Sequence, residues 1–190
     1  MKESIIGEKV ILRAQREEDA AFFAYWYNQP EIMFQCGFHE PTTHEAELAA
    51  IRKPEAKDRD WYAVTDSVSG RIVGETGLLR MWPHWFCTDM TIIIPDPEDQ
   101  SKGYGGEAAR LMLTRAFRHY NFNRVAIGVV GLNAKALKFY EHIGFKKEGV
   151  QEQGYFYDGK FSDFVMMRIL KSEFHICACP ETFVEDKNEH

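Results

Sequence analysis

The sequence predicts one α/β domain built on a mixed sheet, and three observations support this fold class. The chain has 190 residues, which is the size of a single domain with a short extension. Hydrophobic residues make up 45% and charged residues 27%, so there is enough apolar surface for a core. Strand-like and helix-like segments follow one another without regular alternation, which argues against a repeated βαβ pattern.

The first half of the chain is predicted to contain four strands and two helices. Apolar runs bounded by turn residues indicate the strands, and Ser69-Gly70 provides a turn between two of them. The first helix begins with acidic residues that suit the positive end of its dipole, and Pro30 follows its end. The predicted strands are residues 9–13, 61–66, 72–80 and 87–94, and the predicted helices are residues 17–28 and 43–57.

The second half is predicted to contain the most regular helix of the chain. Apolar residues recur there at i, i+3, i+4, i+7, i+8 and i+11, which indicates one buried face. They are Ala109, Met112, Leu113, Ala116, Phe117 and Tyr120. A further helix over residues 133–142 begins at the N-cap Asn133 and ends at Gly144. The predicted strands are residues 124–130, 145–150, 154–157 and 161–170, with Asp158-Gly159 as a hairpin turn.

A glycine-rich turn precedes the central helix and predicts a site for phosphate groups. Its glycines allow tight turns and let a ligand approach the backbone closely. Amide N–H groups at the start of a helix are free to bind anions. A flexible turn without a ligand is the alternative. The turn comprises Gln100, Ser101, Lys102, Gly103, Tyr104, Gly105 and Gly106.

Two common nucleotide-binding motifs fit this turn poorly. A P-loop requires a lysine after its second glycine, whereas Lys102 precedes Gly103 here. The dinucleotide fingerprint matches by letter from Gly103 to Ala108, but residues 108–140 contain no Asp or Glu to bind a ribose. NAD binding is therefore not expected, and a nucleotide-binding protein that uses the same glycines is our third-ranked interpretation.

Two segments resemble the signatures of the GNAT acetyltransferase superfamily. The first is Gln100-x-x-Gly103-x-Gly105 at the start of a helix, and the second runs from Asn133 through Tyr140 to Gly144-Phe145. Both ends of the matching region, Val10-Ile-Leu-Arg13 and Tyr157-Asp-Gly159, are similar to the branch that contains ribosomal-protein N-terminal and spermidine N-acetyltransferases. The resemblance covers about residues 8–170.

This resemblance implies a fold and a domain division. The implied fold is α+β, with a mixed, mostly antiparallel sheet of six or seven strands that is splayed in the middle and flanked by about four helices. We expect one acyltransferase domain over residues 1–171 and an acidic C-terminal extension over residues 172–190.

The resemblance also implies a site for acetyl-CoA and no metal. The main chain that would pair with the pantetheine arm belongs to Ile92, Ile93 and Ile94. The residues that would hold the pyrophosphate are Gln100, Ser101, Lys102, Gly103, Tyr104, Gly105 and Gly106. The distal part of the cofactor would contact Asn133, Ala134 and Lys135, and Tyr140 would protonate the departing thiolate.

The implied function is N-acetyl transfer from acetyl-CoA to a primary amine, by direct transfer in a ternary complex. A polyamine, a peptide or protein N-terminal amine, and an amino sugar are the expected acceptors. The proton of the amine would go to Glu75, to Asp89 or to water, because a general base must reach the substrate. A non-catalytic acyl-CoA-binding sensor is the alternative function.

The charge distribution favours a cationic acceptor. A formal net charge of −6 argues against a nucleic-acid partner. Residues 108–140 contain cations and no carboxylate, which suits an anionic ligand, whereas residues 17–51 contain seven carboxylates and no Lys or Arg. These seven are Glu17, Glu18, Asp19, Glu31, Glu40, Glu45 and Glu47. The acidic segment therefore predicts an entrance for a cation.

Other sequence features concern environment and assembly. No apolar run approaches the roughly 20 residues of a membrane span, and the N-terminus is too polar for a signal peptide, so we expect a cytoplasmic protein without a membrane partner. Aromatic residues in the segment 81–86 permit a homodimer. The cysteines are too few and too scattered for a disulfide scaffold or a zinc site. They are Cys36, Cys87, Cys177 and Cys179.

Overall fold

A computed structural model of the chain describes residues 2–174 and 182–184. The strands are β1 (Ser4–Ile6), β2 (Val10–Arg13), β3 (Asp60–Asp66), β4 (Ile72–Trp82), β5 (Cys87–Ile93), β6 (Arg124–Val130), β7 (Lys146–Tyr157), β8 (Lys160–Leu170) and β9 (Thr182–Val184). The helices are α1 (Ala20–Trp26), α2 (Pro30–Cys36), α3 (His44–Arg52), α4 (Pro97–Gln100), α5 (Tyr104–Thr114) and α6 (Ala134–Ile143). All strands belong to one nine-stranded sheet with the order β7-β8-β6-β5-β4-β3-β2-β1-β9.

The middle of the sheet is splayed between β5 and β6. These strands form the one parallel pair among the described residues, and every other neighbouring pair is antiparallel. Their register covers three positions, from Cys87 opposite Arg124 to Asp89 opposite Ala126, and ends there. The predicted mixed, mostly antiparallel and splayed sheet is therefore confirmed.

Helix α5 packs against one face of the sheet and forms the centre of the core. Most of the predicted apolar face is buried, since Ala109, Met112, Leu113, Ala116 and Phe117 are each at most 1% exposed. Tyr120, the last residue of that face, follows the helical turns and is half-buried. The helix contacts β2, β4 and β5 and continues into a π-helical turn at residues 115–119. This packing fixes the start of α5, and with it the glycine-rich turn, next to the splay.

Helices α1 and α2 lie on the opposite face of the sheet. Side chains alternate along a strand, so Glu75 of β4 points away from Leu78, which belongs to the core around α5. Burial and the negative charge of nearby Glu75 raise the pKa of Tyr27, which follows α1. One face of the sheet thus brings the start of α5 to the splay, and the other face brings Glu75.

The structure differs from the sequence-based prediction at several elements. Pro30 does follow a helix, but it is also the first residue of α2, where proline is well tolerated. Residues 145–150 and 154–157, predicted as two strands, belong to the single strand β7, which has two register shifts. The sheet has more strands than predicted because β1 and β9, at three residues each, are too short to show a pattern.

Three expectations concern features beyond the core fold. In residues 2–174 and 182–184, no helix is long and apolar enough to cross a membrane. No group of three His, Cys, Asp or Glu side chains in the same residues is arranged to hold a metal ion. Cys36 and Cys87 are free thiols, and Cys177 and Cys179 lie outside the described residues.

Candidate active site

The splay between β5 and β6 opens into a cavity of about 690 Å³. We call one part of its wall the cofactor end, formed by residues 100–106 and by the start of α6. We call the other part the acceptor end, formed on the α2 side of the sheet by Trp61, Glu75, Leu79, Arg80 and Asp89. A cavity of this size is large enough for a substrate-sized molecule.

Unpaired backbone amides line the cofactor end. Gly103 precedes α5 with a φ of +88°, a left-handed conformation that glycine adopts without strain. The first hydrogen bond of the helix runs from the amide of Glu107 to the carbonyl of Gly103. Within the described residues, the four preceding amides, those of residues 103–106, donate no hydrogen bond. Four donors at the positive end of a helix are suited to bind an anion.

Two glycines of this turn have different surroundings. A Cβ atom on Gly105 would lie 3.4 Å from the ring of Phe139 in α6, an ordinary van der Waals contact. A Cβ atom on Gly106 would meet no atom within 4 Å, because this position faces open space in the cavity. Gly105 therefore lies beside α6, whereas Gly106 leaves room for a ligand.

Glu107 anchors the start of α5 to the turn between β1 and β2. Its carboxylate accepts hydrogen bonds from the amides of Glu8, Lys9 and Val10 at 2.9, 2.7 and 2.8 Å. Gly7 is required beside it, because a Cβ atom there would lie 2.8 Å from the Glu107 carboxyl carbon. Three N–H donors satisfy the negative charge of Glu107, which therefore does not face an anion unpaired.

Asp99 anchors the other side of the turn. It is 1% exposed and accepts two hydrogen bonds from Arg71, at 2.9 and 2.8 Å, and one from Lys102, at 2.9 Å. Gln100 donates to the carbonyl of Ile94 at 2.7 Å and accepts a hydrogen bond from Lys135. The turn is thus held in place from both sides before any ligand binds.

Most of the residues predicted to bind the cofactor line the cavity. Those that do are Ile92, Ile93, Ile94, Gln100, Ser101, Gly103, Gly105, Gly106, Asn133 and Lys135. Three others are not part of its wall. Lys102 is paired with Asp99, Tyr104 is buried with its hydroxyl donating to Asp66, and Ala134 is exposed. Of these three, Tyr104 still contributes an unpaired amide to the turn.

Tyr140, in α6, lies in the wall of the cavity. Its side chain is 6% exposed and packs against Phe139 and Phe145. Within the described part of the chain, its hydroxyl makes no hydrogen bond to the protein. Burial raises the pKa of Tyr140, with a smaller contribution from nearby Cys36. The phenol therefore stays protonated at neutral pH and can donate a proton into the cavity.

Glu75 lies at the acceptor end and is 7% exposed. Gln15 and Trp61 donate hydrogen bonds to its Oε2 atom at 2.9 and 2.7 Å. Burial raises the pKa of Glu75 above its ordinary value. Both donors are neutral and both act on one oxygen, so the carboxylate is oriented without being neutralised by a cation.

Asp89 differs from Glu75 because a cation accompanies it. The residue occupies the last paired position of β5 with β6. Its Oδ2 atom accepts a hydrogen bond from Nε of Arg80 at 2.5 Å, and both residues line the cavity. Of the two predicted base candidates, only Glu75 combines burial with the absence of a salt bridge in the described residues.

Cys36 is a cavity residue that the sequence did not single out. It is the last residue of α2, lies near Glu75 and Tyr140, and has a free thiol. Burial and the charge of Glu75 raise the pKa of Cys36 to about 12. The group is therefore a protonated thiol at neutral pH, which is a poor nucleophile. Position 36 could not be assigned from sequence because α2 itself was missed.

The acidic segment 17–51 does not supply carboxylates to the wall of the cavity. None of its seven acidic side chains lines the cavity. Glu17 pairs with Arg52 at 2.7 Å and Asp19 pairs with Arg13 at 2.7 Å. Glu31 accepts a hydrogen bond from Gln35, a lining residue, and therefore lies near the rim. The carboxylates of the predicted acidic entrance are therefore not part of the cavity wall, and arginines just outside the segment pair with some of them.

Comparison with known proteins identifies the family. The family described as "Acetyltransferase (GNAT) domain" matches residues 9–146. A spermidine N(1)-acetyltransferase of Vibrio cholerae is 26% identical over 170 residues, covering 89% of this chain and 97% of the relative. A spermidine N(1)-acetyltransferase of Escherichia coli strain K12 is 26% identical over 168 residues, covering 88% and 89%.

Solved structures show the same architecture. Spermidine N-acetyltransferase from Vibrio cholerae, in complex with CoA and spermine, superposes with a TM-score of 0.77 at 27% identity, covering 87% of this chain and 97% of that chain. An acetyltransferase of the GNAT family from Bacillus anthracis has a TM-score of 0.78 at 18% identity, covering 90% and 99%. The second likeness concerns the fold alone.

Fold, cavity and family match lead to one conclusion. The chain belongs to the GNAT family of acetyltransferases. It is an acetyl-CoA-dependent N-acetyltransferase, as its resemblance to the GNAT signatures predicted. Acetyl-CoA as the predicted co-substrate is also confirmed.

Proposed function

We propose that this chain transfers the acetyl group of acetyl-CoA directly to a primary amine while both substrates are bound. One observation carries the proposal: a single cavity joins unpaired amides at the start of α5 to a buried carboxylate, Glu75, and a free phenol, Tyr140. The first group suits a diphosphate, and the other two suit the proton transfers that amine acetylation requires.

The residues at the cofactor end fit acetyl-CoA. The amides of residues 103–106 would hold its diphosphate, and Gly106 leaves the space that this group needs. The edge of β5 near Ile92, Ile93 and Ile94, which β6 does not pair, would bind the pantetheine arm. Asn133 and Lys135 would contact the distal part. When bound, acetyl-CoA supplies an activated acetyl thioester.

Glu75 is our choice for the general base. An alkylamine with a pKa of about 10.4 is neutral in about one part in 2,500 at pH 7, a handicap of roughly 4.6 kcal/mol. A base that takes the proton of the bound amine removes much of this handicap. The hydrogen bonds from Gln15 and Trp61 both end on the Oε2 atom of Glu75, which leaves Oε1 the less constrained oxygen and the one placed to take that proton. Asp89 is less suitable because Arg80 neutralises it.

Tyr140 is our choice for the acid. As the new bond to nitrogen forms and the bond to sulfur breaks, Tyr140 would give its proton to the departing sulfur. Its raised pKa keeps the proton on the phenol until then. The nitrogen loses its second proton as the amide forms, and that proton replaces, through solvent, the one that Tyr140 gave to sulfur. The products are the N-acetylated amine, CoA as its thiol, and the one proton that Glu75 took from the ammonium and releases to solvent.

Cys36 supports direct transfer rather than an acyl-enzyme. An acylated intermediate needs an activated nucleophile, such as a thiolate. With a pKa of about 12, the thiol of Cys36 is almost entirely protonated at neutral pH. A ternary complex, in which the amine attacks the thioester itself, needs no such group.

The proposed acceptor is a primary amine, a class that includes polyamines, peptide or protein N-terminal amines and amino sugars. The relatives named as spermidine N(1)-acetyltransferases favour a cationic amine. The carboxylates of the segment 17–51 add less to that preference than their number suggests, because they lie outside the cavity wall.

A thiol-release assay with acetyl-CoA and an amine panel tests the proposal, and mass spectrometry identifies the product. We expect the mass of at least one amine to increase by that of an acetyl group replacing a hydrogen, and no acetylated protein in the absence of acceptor. Normal CoA binding without turnover on any amine would instead support the acyl-CoA sensor. A stable acetyl-enzyme on Cys36 would contradict direct transfer.

A further inference from the structure

A charge pair, Arg80 and Asp89, stands at the far part of the acceptor end, and the proposed function gives it no role. Both side chains line the cavity. Arg80 is 59% exposed in its side chain and Asp89 19%. Because the pair has one positive and one negative side chain, it is complementary to a zwitterionic group. A role of this pair in selecting the amine rests on the proposed function, because the same cavity would acetylate that amine.

A β-bulge directs Arg80 into the cavity. The register between β4 and β5 shifts between Leu79 and Trp82, and Arg80 has a φ of +48°, in the left-handed region that non-glycine residues rarely adopt. Bulges change the direction of a side chain and occur frequently beside active sites. In a regular strand, the side chain of residue 80 would point to the face opposite that of Leu79, which lines the cavity.

The pair keeps most of its hydrogen-bonding capacity free. Only Nε of Arg80 and Oδ2 of Asp89 are joined, at 2.5 Å. Within the described residues, Nη1 and Nη2 of Arg80 donate no hydrogen bond and Oδ1 of Asp89 accepts none. The two free N–H groups suit a carboxylate, and the free oxygen suits an ammonium.

The register of the sheet sets the distance from this pair to Glu75. Ile93 is opposite Glu75 and Asp89 is opposite Leu79, so Asp89 and Glu75 project from the same face, four residues apart along the strands. At about 3.3 Å per residue, the backbone positions of Glu75 and Asp89 are about 13 Å apart along the strands. Side chains on one face of a sheet stand roughly parallel, so their end groups keep about this spacing. A chain of five or six bonds, at about 1.3 Å per bond, fills it with a hydrogen bond of about 2.8 Å at each end.

We infer that the acceptor is a diamino acid of lysine-like length. Its zwitterionic head lies on Arg80 and Asp89, carboxylate to guanidinium and ammonium to carboxylate, and its terminal amine lies at Glu75. A polycation is disfavoured at the same position, because Arg80 repels its distal ammonium and offers donors that it does not use.

A matched pair of acceptors tests this inference on the full-length chain. L-Lysine and cadaverine have the same diamine chain and differ by the carboxylate, and spermidine represents a longer polycation. We expect kcat/KM for lysine to exceed that for cadaverine by about tenfold or more, with the difference in KM. In Arg80→Gln this ratio should fall below about threefold, as expected when a charged hydrogen-bonding partner is lost.

Arg52→Gln is the matched control, because Arg52 has the same 59% side-chain exposure and pairs with Glu17 outside the cavity. We expect it to leave the ratio unchanged. A ratio is measured within one variant, so partial unfolding of Arg80→Gln cancels.

Three results would overturn the inference. The first is a higher kcat/KM for cadaverine or spermidine than for lysine. The second is a lysine-to-cadaverine ratio of kcat/KM that is the same in Arg80→Gln as in Arg52→Gln. In both cases the proposed function stands, because amines are still acetylated. The third is no turnover of any amine, which overturns the proposed function and this inference together.

Discussion

The two ends of the cavity recognise their ligands by different means. The cofactor end uses backbone amides from four consecutive residues, 103–106, and the side chains around it anchor that backbone. The acceptor end uses side chains from β3, β4 and β5, namely Trp61, Glu75, Arg80 and Asp89. Backbone recognition from one short segment leaves a local glycine pattern in the sequence, whereas an acceptor site assembled from several strands does not.

The ends also differ in how they manage charge. Near the cofactor end, the carboxylates of Asp99 and Glu107 are satisfied by arginine, lysine and amide donors, so the unpaired helix amides dominate. At the acceptor end, Glu75 has only neutral donors and keeps its proton affinity, while Asp89 is paired. The same type of side chain therefore has a supporting role at one end and a chemical role at the other.

The largest effect is expected for Glu75→Gln. Loss of the base should lower kcat/KM by about 10²–10⁴-fold at neutral pH. In the wild type, kcat/KM should fall as the pH falls through the raised pKa of Glu75, because the base must be deprotonated, and the variant should lose this dependence. Glu17→Gln is the control, since Glu17 lies on the surface and pairs with Arg52. An active Glu75→Gln enzyme would move the base to Asp89 or water.

Glu75→Gln should lower activity but raise the stability of the fold, relative to wild type, at high pH. A carboxyl group whose pKa is raised in the folded state stabilises the fold at low pH, and this contribution is lost as the pH rises through the folded-state pKa. Replacing Glu75 by glutamine removes the buried negative charge. We expect its Tm, relative to wild type, to be higher at about pH 8 than at about pH 5. A relative Tm independent of pH would contradict the raised pKa.

Tyr140→Phe is expected to have the next largest effect. The variant keeps the ring packing against Phe139 and Phe145 but has no proton to give, so kcat should fall about 100-fold. The affinity for CoA, measured by calorimetry, should stay within about twofold. Tyr25→Phe, at an exposed position, serves as the control. A normal kcat in Tyr140→Phe would return this tyrosine to a packing role.

A smaller effect is expected where the cofactor end is anchored. Glu107→Ala leaves three amides without their acceptor, which should destabilise the fold by about 1–3 kcal/mol. The start of α5 then becomes less fixed, so the KM for acetyl-CoA should rise about tenfold while the KM for the amine changes little. Glu98→Ala, which removes an exposed carboxylate of α4, is the control. Equal increases in both KM values would argue against an anchor specific to this end.

The smallest effect is expected at the rim of the acceptor end. Glu31→Gln and Glu40→Gln should raise the KM of a cationic amine more than they lower kcat, but by less than about threefold. Both residues are exposed and outside the cavity wall, where salt screens their charge. KM measured across a salt series should accordingly rise only slightly. A tenfold increase would restore the acidic entrance as a main determinant of the acceptor.

The cofactor end could be predicted well from the sequence, for a physical reason. Gly103, Gly105 and Gly106 lie next to one another in the chain and in space, and the apolar face of α5 has a clear helical period. The side chains of Lys102 and Tyr104 lie outside the cavity wall because Asp99, three residues before Lys102, and Asp66, 38 residues before Tyr104, bind them. The glycine pattern does not include either partner, and Asp66 comes from a distant segment.

The acceptor end was less predictable because its properties depend on tertiary contacts. Glu75 was a candidate base, but its burial and its bonds to Gln15 and Trp61 arise only when β2, β3 and β4 are adjacent. A proline after a helical run indicates the end of that helix, so the sequence does not predict α2, in which Pro30 is the first residue and Cys36 the last. The count of carboxylates likewise did not include the arginines that neutralise them.

NMR spectroscopy tests directly whether the amides at the start of α5 bind the diphosphate of CoA. We predict that CoA moves the amide proton signals of Gly103, Gly105 and Gly106 strongly downfield, as hydrogen bonds to phosphate oxygens form, whereas pantetheine, which has no diphosphate, leaves them nearly unchanged. CoA binding that perturbs other residues of the cavity but not these three signals would contradict the claim.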